Sequence, residues 1–517
     1  MKQILISSEK NLSRIAVLVQ GRLEDLHVET GKTDQLVGNI YRARVVNVLP
    51  SAQSAFLDIG ADKNAYMYID DAIPPGQKAN RQGKEKPNIR HLVQVGEERL
   101  VQVMKEAQGT KAARVTTEIS IPGRMLVYLP DSARISISRR IQAPAERKRL
   151  EQTAARLLTG SEGVIFRTQA EGADEQRIAD ELCYLRSVWS EALAAAAAKK
   201  LPVLVHPGDD LITRAVRDLF SADVDELIVD HGPTFQRVKQ MLLSFYPDLA
   251  DRLSLYQGKL PLFEQYAVEA EIDKALRRQV WLKSGGSIVI DRTEAMTVID
   301  VNTGKFTGGA SMQLEELVTR TNLEAAREIA RQLRLRDIGG IVIIDFIDMK
   351  SSANQARLLA ELESELARDR TVTSVLGLTK LGLVELTRKK VRQSLSEALT
   401  SPCPTCGGKG RVLSLAEVSR RLEREIRALV KTGEAEAVVV ELSAELARHW
   451  QEPVDGTARS QRVEQDLQIR LHLLPEARLP VHAYRVRYTG TKQEADRLLA
   501  LEAGEAKFIG DSSRHQV

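Results

Sequence analysis

Residues 287–349 constrain the fold more tightly than any other stretch. Ser287-Ile288-Val289-Ile290-Asp291 has the pattern of a strand. Residues 292–295 turn it into a second strand, Met296 to Asn302. Side chains alternate faces along a strand, so Asp300 and Asn302 point the same way. Gly304, Gly308 and Gly309 follow and allow the backbone to approach a ligand closely. The spacing then predicts a helix over 313–336, with Leu314, Leu317, Ile329 and Leu333 on its apolar face and Gly339 and Gly340 ending it. Ile341-Val342-Ile343-Ile344-Asp345 is a continuous apolar run of the kind found at the centre of a sheet. The block is therefore α/β.

Two apolar strands that end in Asp300 and Asp345, with one helix between them, can meet at one sheet edge. A carboxylate closing a buried strand is costly unless it is paired or ligates a cation. Mg²⁺ takes oxygen ligands, usually one or two carboxylates with waters and substrate phosphate. Asn302 suits the orientation of a ligand or a water. Asp348, three residues past Asp345, faces the other way on an extended strand and ranks lower. For a lone aspartate, a strand cap or an Arg partner is the better reading. For this pair with its glycine-rich loop, a metal is. No histidine occurs between His231 and His449. Imidazole acid–base chemistry is then missing from the block, which favours a metal-activated water.

At 517 residues the chain has room for about three to five domains. Its composition, 43% hydrophobic and 28% charged, is that of a soluble globular protein. Lys and Arg exceed Asp and Glu by 74 − 70 = 4, so bulk charge does not mark a nucleic-acid binder. No apolar run reaches the ~18 residues of a membrane span, and the N-terminus is too short for a signal-peptide core. Three cysteines exclude a disulfide scaffold and fit a reducing cytoplasm. Short strands between residues 38 and 117 suit a small barrel with an exposed, Pro- and Lys-rich loop at 74–87. Residues 119–160 carry eight Lys/Arg and three Asp/Glu, a strongly basic window. Helical periodicity follows over 174–199. Mixed strands and helices fill 202–277. The last hundred residues begin with a helix over 415–431 and close with strands around Leu467 and Val486.

Cys403-Pro404-Thr405-Cys406, with Gly407, Gly408 and Gly410 behind it, is a CxxC knuckle. A structural zinc takes four ligands, and no other Cys or His lies nearby in sequence. One chain supplies half a site, and two chains sharing one zinc would complete it. A redox pair would want a thioredoxin-like βαβ context, which this link lacks.

Ile299-Asp300-Val301-Asn302-Thr303-Gly304, Thr321-Asn322-Leu323-Glu324-Ala325-Ala326, residues 331–337 (RQLRLRD), residues 343–349 (IIDFIDM) and the CPTCGGKG link occur together and in order. This set resembles the ribonuclease E/G family strongly over residues 1–415 and weakly beyond. The chain ends without a long disordered scaffold, so its layout resembles the shorter branch of that family. The resemblance implies a multidomain α/β plus β fold. An RNase H-like domain of residues 1–35 and 213–276 would be interrupted by an S1 (OB-fold) RNA-binding barrel, 36–118, and a 5′-sensor region, 119–212. A DNase I-like catalytic domain, 277–400, a zinc link, 401–414, and a small C-terminal domain, 415–517, would follow. The family's two magnesium-binding aspartates fall on Asp300 and Asp345, with its asparagine at Asn302. The sensor for a 5′-monophosphate falls on Arg167 and Thr168, with Arg139 as helper. The base-contacting aromatics fall on Phe56 and Tyr66, with Lys111 on phosphate. From pattern alone Phe56 reads equally well as a barrel core position, and Arg167 as a surface arginine.

The expectation is a cytoplasmic, Mg²⁺-dependent endoribonuclease acting on single-stranded RNA, favouring 5′-monophosphorylated ends. rRNA precursors and mRNA are the substrates the family implies. Zn²⁺ shared through Cys403 and Cys406 would give a homodimer, or a dimer of dimers. The rival is a non-catalytic S1-type RNA-binding protein with a zinc-linked dimer, which would not need the acid pair. A DNA nuclease is disfavoured because S1-type barrels usually take single strands, often RNA.

Overall fold

A computed structural model describes residues 1–10, 12–30, 36–74, 88–107, 111–304, 314–433, 435–454 and 456–511. Most of the expected 74–87 loop, together with Gly308, Gly309 and Gln313, lies outside the described residues. The chain is mixed α/β and divides into two compact units, Met1–Ala398 and Leu399–Val517. No helix among the described residues is long and apolar enough to cross a membrane.

The first unit begins with three antiparallel strands, β1 (Lys2–Glu9), β2 (Leu12–Val19) and β3 (Arg22–Thr30). Their alternating apolar residues bury Ile4, Ile6, Ile15 and Val17. The strands β4 (Ile40–Leu49), β5 (Ser54–Asp58), β6 (Ala65–Tyr68), β7 (Glu98–Lys105) and β8 (Arg114–Thr116) come next. They pair in the ring β4-β5-β6-β8-β7, and β7 returns to β4, closing a five-stranded barrel. Its interior is Val45, Leu57, Met67, Val101 and Val115, all buried. The N-terminal half of β4 pairs with β7 and its C-terminal half with β5, so one long strand serves both sides of the closure.

A small sheet follows, built from β9 (Ile121–Pro122), β10 (Leu126–Leu129), β11 (Ile135–Ile137) and β12 (Gly163–Phe166). The helix Glu175–Ala197 packs on it through Ile178, Leu182, Leu185 and Trp189. β13 (Val203–His206) then adds to the outside of β4. β14 (Glu226–Val229) and β15 (Leu253–Leu255) return to the first sheet, in the order β15-β14-β1-β2-β3. Residues more than two hundred positions apart thus share one sheet.

The last sheet of this unit has the order β16-β17-β18-β19-β21-β20. Its strands are β16 (Gln279–Trp281), β17 (Ser287–Arg292), β18 (Met296–Asn302), β19 (Gly340–Asp345), β20 (Thr373–Leu378) and β21 (Val384–Arg388). The helices Leu314–Leu335 and Ser352–Leu366 cover one face, over a core of Ile288, Ile299, Ile329, Leu333, Val342, Ile344 and Leu362. Each such fully buried side chain stabilises by about 1.5–3 kcal/mol.

The long helix departs from its expected pattern at both ends. Leu314 is 76% exposed and Leu317 only half-buried, because the first turn makes little use of the core. Asn322, Glu328, Arg331 and Gln332 are buried on the supposedly polar side. The reason is a second partner, β3. Arg331 Nη1 donates to the Leu23 carbonyl at 2.8 Å, Arg22 pairs with Glu328, and Arg334 pairs with Glu24 at 2.8 Å. At the other end, the left-handed residue after the helix is Asp337 (φ 47°) rather than a glycine. Arg388 pays for that strain by bonding Asp337 Oδ1 at 2.6 Å and Asp369 Oδ2 at 2.8 Å, and Arg392 also pairs with Asp337.

In the second unit, the helix Leu415–Thr432 agrees with expectation. Leu467 ends a helix, Arg459–Leu467, instead of lying on a strand. The strand begins later, at Arg470–Pro475, and joins Ala437–Leu442 and Tyr484–Gly490 in a three-stranded sheet. Gln468 takes the left-handed conformation (φ 55°) that separates helix from strand.

Arg388 is the most consequential of these buried charges. Arg388→Met should cost about 3–5 kcal/mol, because it leaves the buried Asp369 carboxylate without its ion pair and Asp337 with Arg392 alone. The measure is the first urea transition followed by near-UV circular dichroism, and a cost below about 1 kcal/mol would contradict this account.

Candidate active site

β18 and β19 are adjacent and parallel, and Asp300 and Asp345 are register partners. Neighbouring strands lie about 4.8 Å apart, so the two carboxylates leave the sheet side by side. Along β18, Thr297, Ile299 and Val301 are buried under the helices, while Asp300 and Asn302 are exposed on the opposite face. Along β19, Val342 and Ile344 are buried and Asp345 is exposed. The acids close their strands as expected, but neither is buried. What is costly here is repulsion between like charges set directly opposite one another, rather than lost hydration.

Neither acid forms an ion pair with a Lys or Arg among the described residues, so the Arg-partner reading finds no support there. Asn302 Nδ2 donates to Asp300 Oδ2 at 2.7 Å and orients that carboxylate. Asp348 is exposed, beyond the end of β19. Among the described residues no group of three or more His, Cys, Asp or Glu is placed to hold a metal. Two carboxylates and an amide form an all-oxygen donor set that fits Mg²⁺, which usually keeps several waters.

Two features hold the site in place. Gly304 is left-handed (φ 64°), and a Cβ there would lie 2.2 Å from the Gly285 carbonyl oxygen. Only glycine lets the chain leave β18 against that turn. Asn322, fully buried on the long helix, donates to the Ile347 carbonyl at 2.7 Å and accepts from the Ile347 N–H at 3.1 Å. One amide thus satisfies both backbone groups two residues past Asp345. Periodicity offered no signal for this contact.

On the barrel, Phe56 and Tyr66 are cross-strand partners with ring centroids 5.8 Å apart in an edge-to-face pair. Both are half-buried on the outer face, and their neighbours Ala55, Leu57, Ala65 and Met67 fill the core. Phe56 is therefore not a core position. Lys111 is exposed, three residues before Arg114, the register partner of Tyr66.

Arg167 and Thr168 follow β12 directly, and β11 runs parallel to β12 with Ile137 beside Phe166. That register brings residues 138 and 139 alongside. Ser138 Oγ lies 3.1 Å from Thr168 Oγ1, and Arg139 is exposed. Arg167 is not a free surface arginine. Its guanidinium bonds the Gly123 carbonyl and the Asp218 carboxylate, each at 2.7 Å. Burial pushes Asp218 up, but Arg217 and Arg167 outweigh it and hold the carboxyl below its ordinary value. Ser138 and Asp218 are additions that the sequence pattern did not single out.

Cys403 is exposed and Cys406 half-buried, both as free thiols. Backbone N–H groups of Cys406 and Thr405 hold the Cys403 thiol below its usual value. Gly410 N–H donates to Cys406 Sγ at 3.3 Å. Left-handed Gly407, Gly408 and Gly410 shape this knuckle. The lowered Cys403 thiol and the N–H···S contact to Cys406 suit a zinc ligand pair, with two donors per chain.

The family profile described as Ribonuclease E/G family matches residues 120–391. The chain is 39% identical to Ribonuclease G of Escherichia coli strain K12 over 427 residues, 82% of this chain and 87% of that protein. It is also 39% identical to Ribonuclease G of Haemophilus influenzae, over 86% of this chain and 91% of that one. Identity to Ribonuclease E of Escherichia coli strain K12 is 36%, over 85% of this chain and 42% of the longer relative.

The Asn322 amide should prove a measurable support for the acid pair. Asn322→Ala should cost about 1–3 kcal/mol and speed exchange of the Ile347 amide in hydrogen-exchange mass spectrometry. Unchanged protection there would contradict it.

Proposed function

The chain belongs to the ribonuclease E/G family, and we propose that it is an endoribonuclease cutting single-stranded RNA at the Asp300–Asp345 pair with Mg²⁺ as cofactor. The observation that carries this reading is the register of the two carboxylates on adjacent parallel strands. A pure RNA-binding protein has no use for unpaired like charges held side by side. Asp300 and Asp345 would hold the ion, and Asn302 would fix the rotation of Asp300. When bound, Mg²⁺ supplies Lewis acidity to a water and to the phosphate oxygens. Water oxygen bonds to phosphorus, the bond from phosphorus to the 3′ oxygen breaks, and that oxygen takes a proton. The products are a 5′-phosphate and a 3′-hydroxyl.

The half-buried Phe56 and Tyr66, with exposed Lys111, support a base-stacking surface for single-stranded RNA, since aromatic faces accept any base. Thr168, Ser138 and Arg139 offer hydroxyls and a guanidinium to a terminal phosphate, with Arg167 beside them. The domain layout of the family, from RNase H-like core to small C-terminal domain, completes the proposal. So do a cytoplasmic setting, roles in rRNA processing and mRNA decay, and a homodimer closed by one zinc on Cys403 and Cys406 of each chain.

Asp300→Asn should abolish Mg²⁺-dependent cleavage of a labelled single-stranded RNA while leaving its binding nearly intact. Turnover at the wild-type rate would sink the assignment.

A paired assay on one RNA bearing either a 5′-monophosphate or a 5′-hydroxyl tests the sensor. A charge-assisted contact is worth roughly 1.5–3 kcal/mol, so Arg167→Ala should slow cutting of the monophosphorylated form by about ten- to a hundredfold. The hydroxyl form should be barely affected. Equal slowing of both would mean that Arg167 serves only to brace Asp218 and Gly123.

A further inference from the structure

Of the three tryptophans in the chain, two do structural duty. Trp189 and Trp450 are 8% and 0% exposed, whereas Trp281 is 68% exposed. Trp281 ends β16, at the edge of the sheet that carries the acid pair. Among the described residues, no aromatic ring or cation stacks on it. An indole is a large apolar surface that gains most when something covers it.

The direction of the side chain follows from its neighbours. Val280 packs into the core beneath the sheet, so Gln279 and Trp281 project from the opposite face. Gln279 Nε2 donates to Ser287 Oγ at 3.1 Å, which places Ser287, itself buried, on that same side of the sheet. Trp281 registers with Ser287, and Ser287 with Asn302. One row, Trp281–Ser287–Asn302, therefore crosses three strands on the face that bears Asp300 and Asp345. Two strand spacings separate Trp281 from the strand of Asp300 and three from that of Asp345, with a two-residue offset along the strand, about 12–16 Å of backbone that the long indole side chain partly spans. That is within reach of a base adjoining a phosphodiester seated on the acids.

We propose that Trp281 is a stacking platform for an unpaired nucleobase of the strand being cut, close to the scissile bond. This rests on reading Asp300 and Asp345 as the cleavage site. The indole holds the base by its face and the phosphodiester is thereby drawn over the carboxylates. Stacking is tolerant of base identity, so the platform positions the strand without selecting a sequence. Trp281 is a positioning residue and takes no part in bond making.

The test uses the full chain and a single-stranded RNA with one cut site, made with one abasic ribose at each position flanking the scissile bond in turn. In the wild type, one abasic position should raise KM by about five- to a hundredfold, the range that stacking on one aromatic supplies. Trp281→Ala should raise KM on intact RNA by a similar factor and show no further loss at that position. Trp281→Phe should recover most of the activity. Since the side chain is mostly exposed, these variants leave the core intact. Separately, Trp281 fluorescence, taken as the difference between wild type and Trp281→Phe, should be quenched when the RNA binds. A chain that binds with quenching yet never cuts would overturn the cleavage reading and support the platform. A chain that cuts, but shows neither quenching nor any loss in Trp281→Ala, would overturn the platform.

Discussion

Two negative charges set opposite one another on neighbouring strands are the constraint around which the sheet of β16–β21 is arranged. For charges about 5 Å apart, repulsion is roughly 1 kcal/mol in water and about 3 kcal/mol at the effective dielectric of a protein surface. The sheet can bear this because its other face is sealed by two helices over a continuous apolar core. Val342 and Ile344 on β19, and Ile299 and Val301 on β18, fix both strands from below. Register then follows, since a one-residue slip would drive the buried set into water. A divalent cation converts the repulsion into attraction, so the geometry is most stable in the state the proposed chemistry requires.

The long helix transmits this order outward. One side packs on the β16–β21 sheet, and the other meets β3 largely through charged groups and the Leu23 carbonyl. Buried ion pairs seldom add net stability over apolar packing, but their geometry admits one arrangement. Arg388 and Arg392 on Asp337 act in the same way at the helix end. The N-terminal sheet and the sheet bearing Asp300 and Asp345 are thereby locked to a single helix, which also carries Asn322 beneath the segment following Asp345.

Local periodicity made some of this legible and could not reach the rest. Asp300 and Asp345 stand out because an acid closing an apolar run is conspicuous, and alternation alone puts Asn302 beside Asp300. The barrel follows from short strands at close spacing. Asn322 and Arg388 gave no such signal, because their partners are distant in sequence, and Arg331 gave none because a polar residue on a helix reads as solvated. The closing helix turn misled in a similar way: glycines stood nearby, but an aspartate bonded to two arginines takes the strained position. Arg167, Thr168 and Phe56 drew their candidate roles from family resemblance. The structure adds that Arg167 is engaged with Asp218 and that Phe56 faces outward.

In the proposed chemistry Asp300 and Asp345 jointly hold one divalent cation. Anomalous diffraction from crystals soaked in Mn²⁺, a stand-in for Mg²⁺ with similar oxygen ligands, tests it directly. One peak is expected within about 2.0–2.3 Å of carboxylate oxygens from both residues, lost in Asp345→Asn. A peak bound elsewhere, or none at the pair under saturating Mn²⁺, would contradict it.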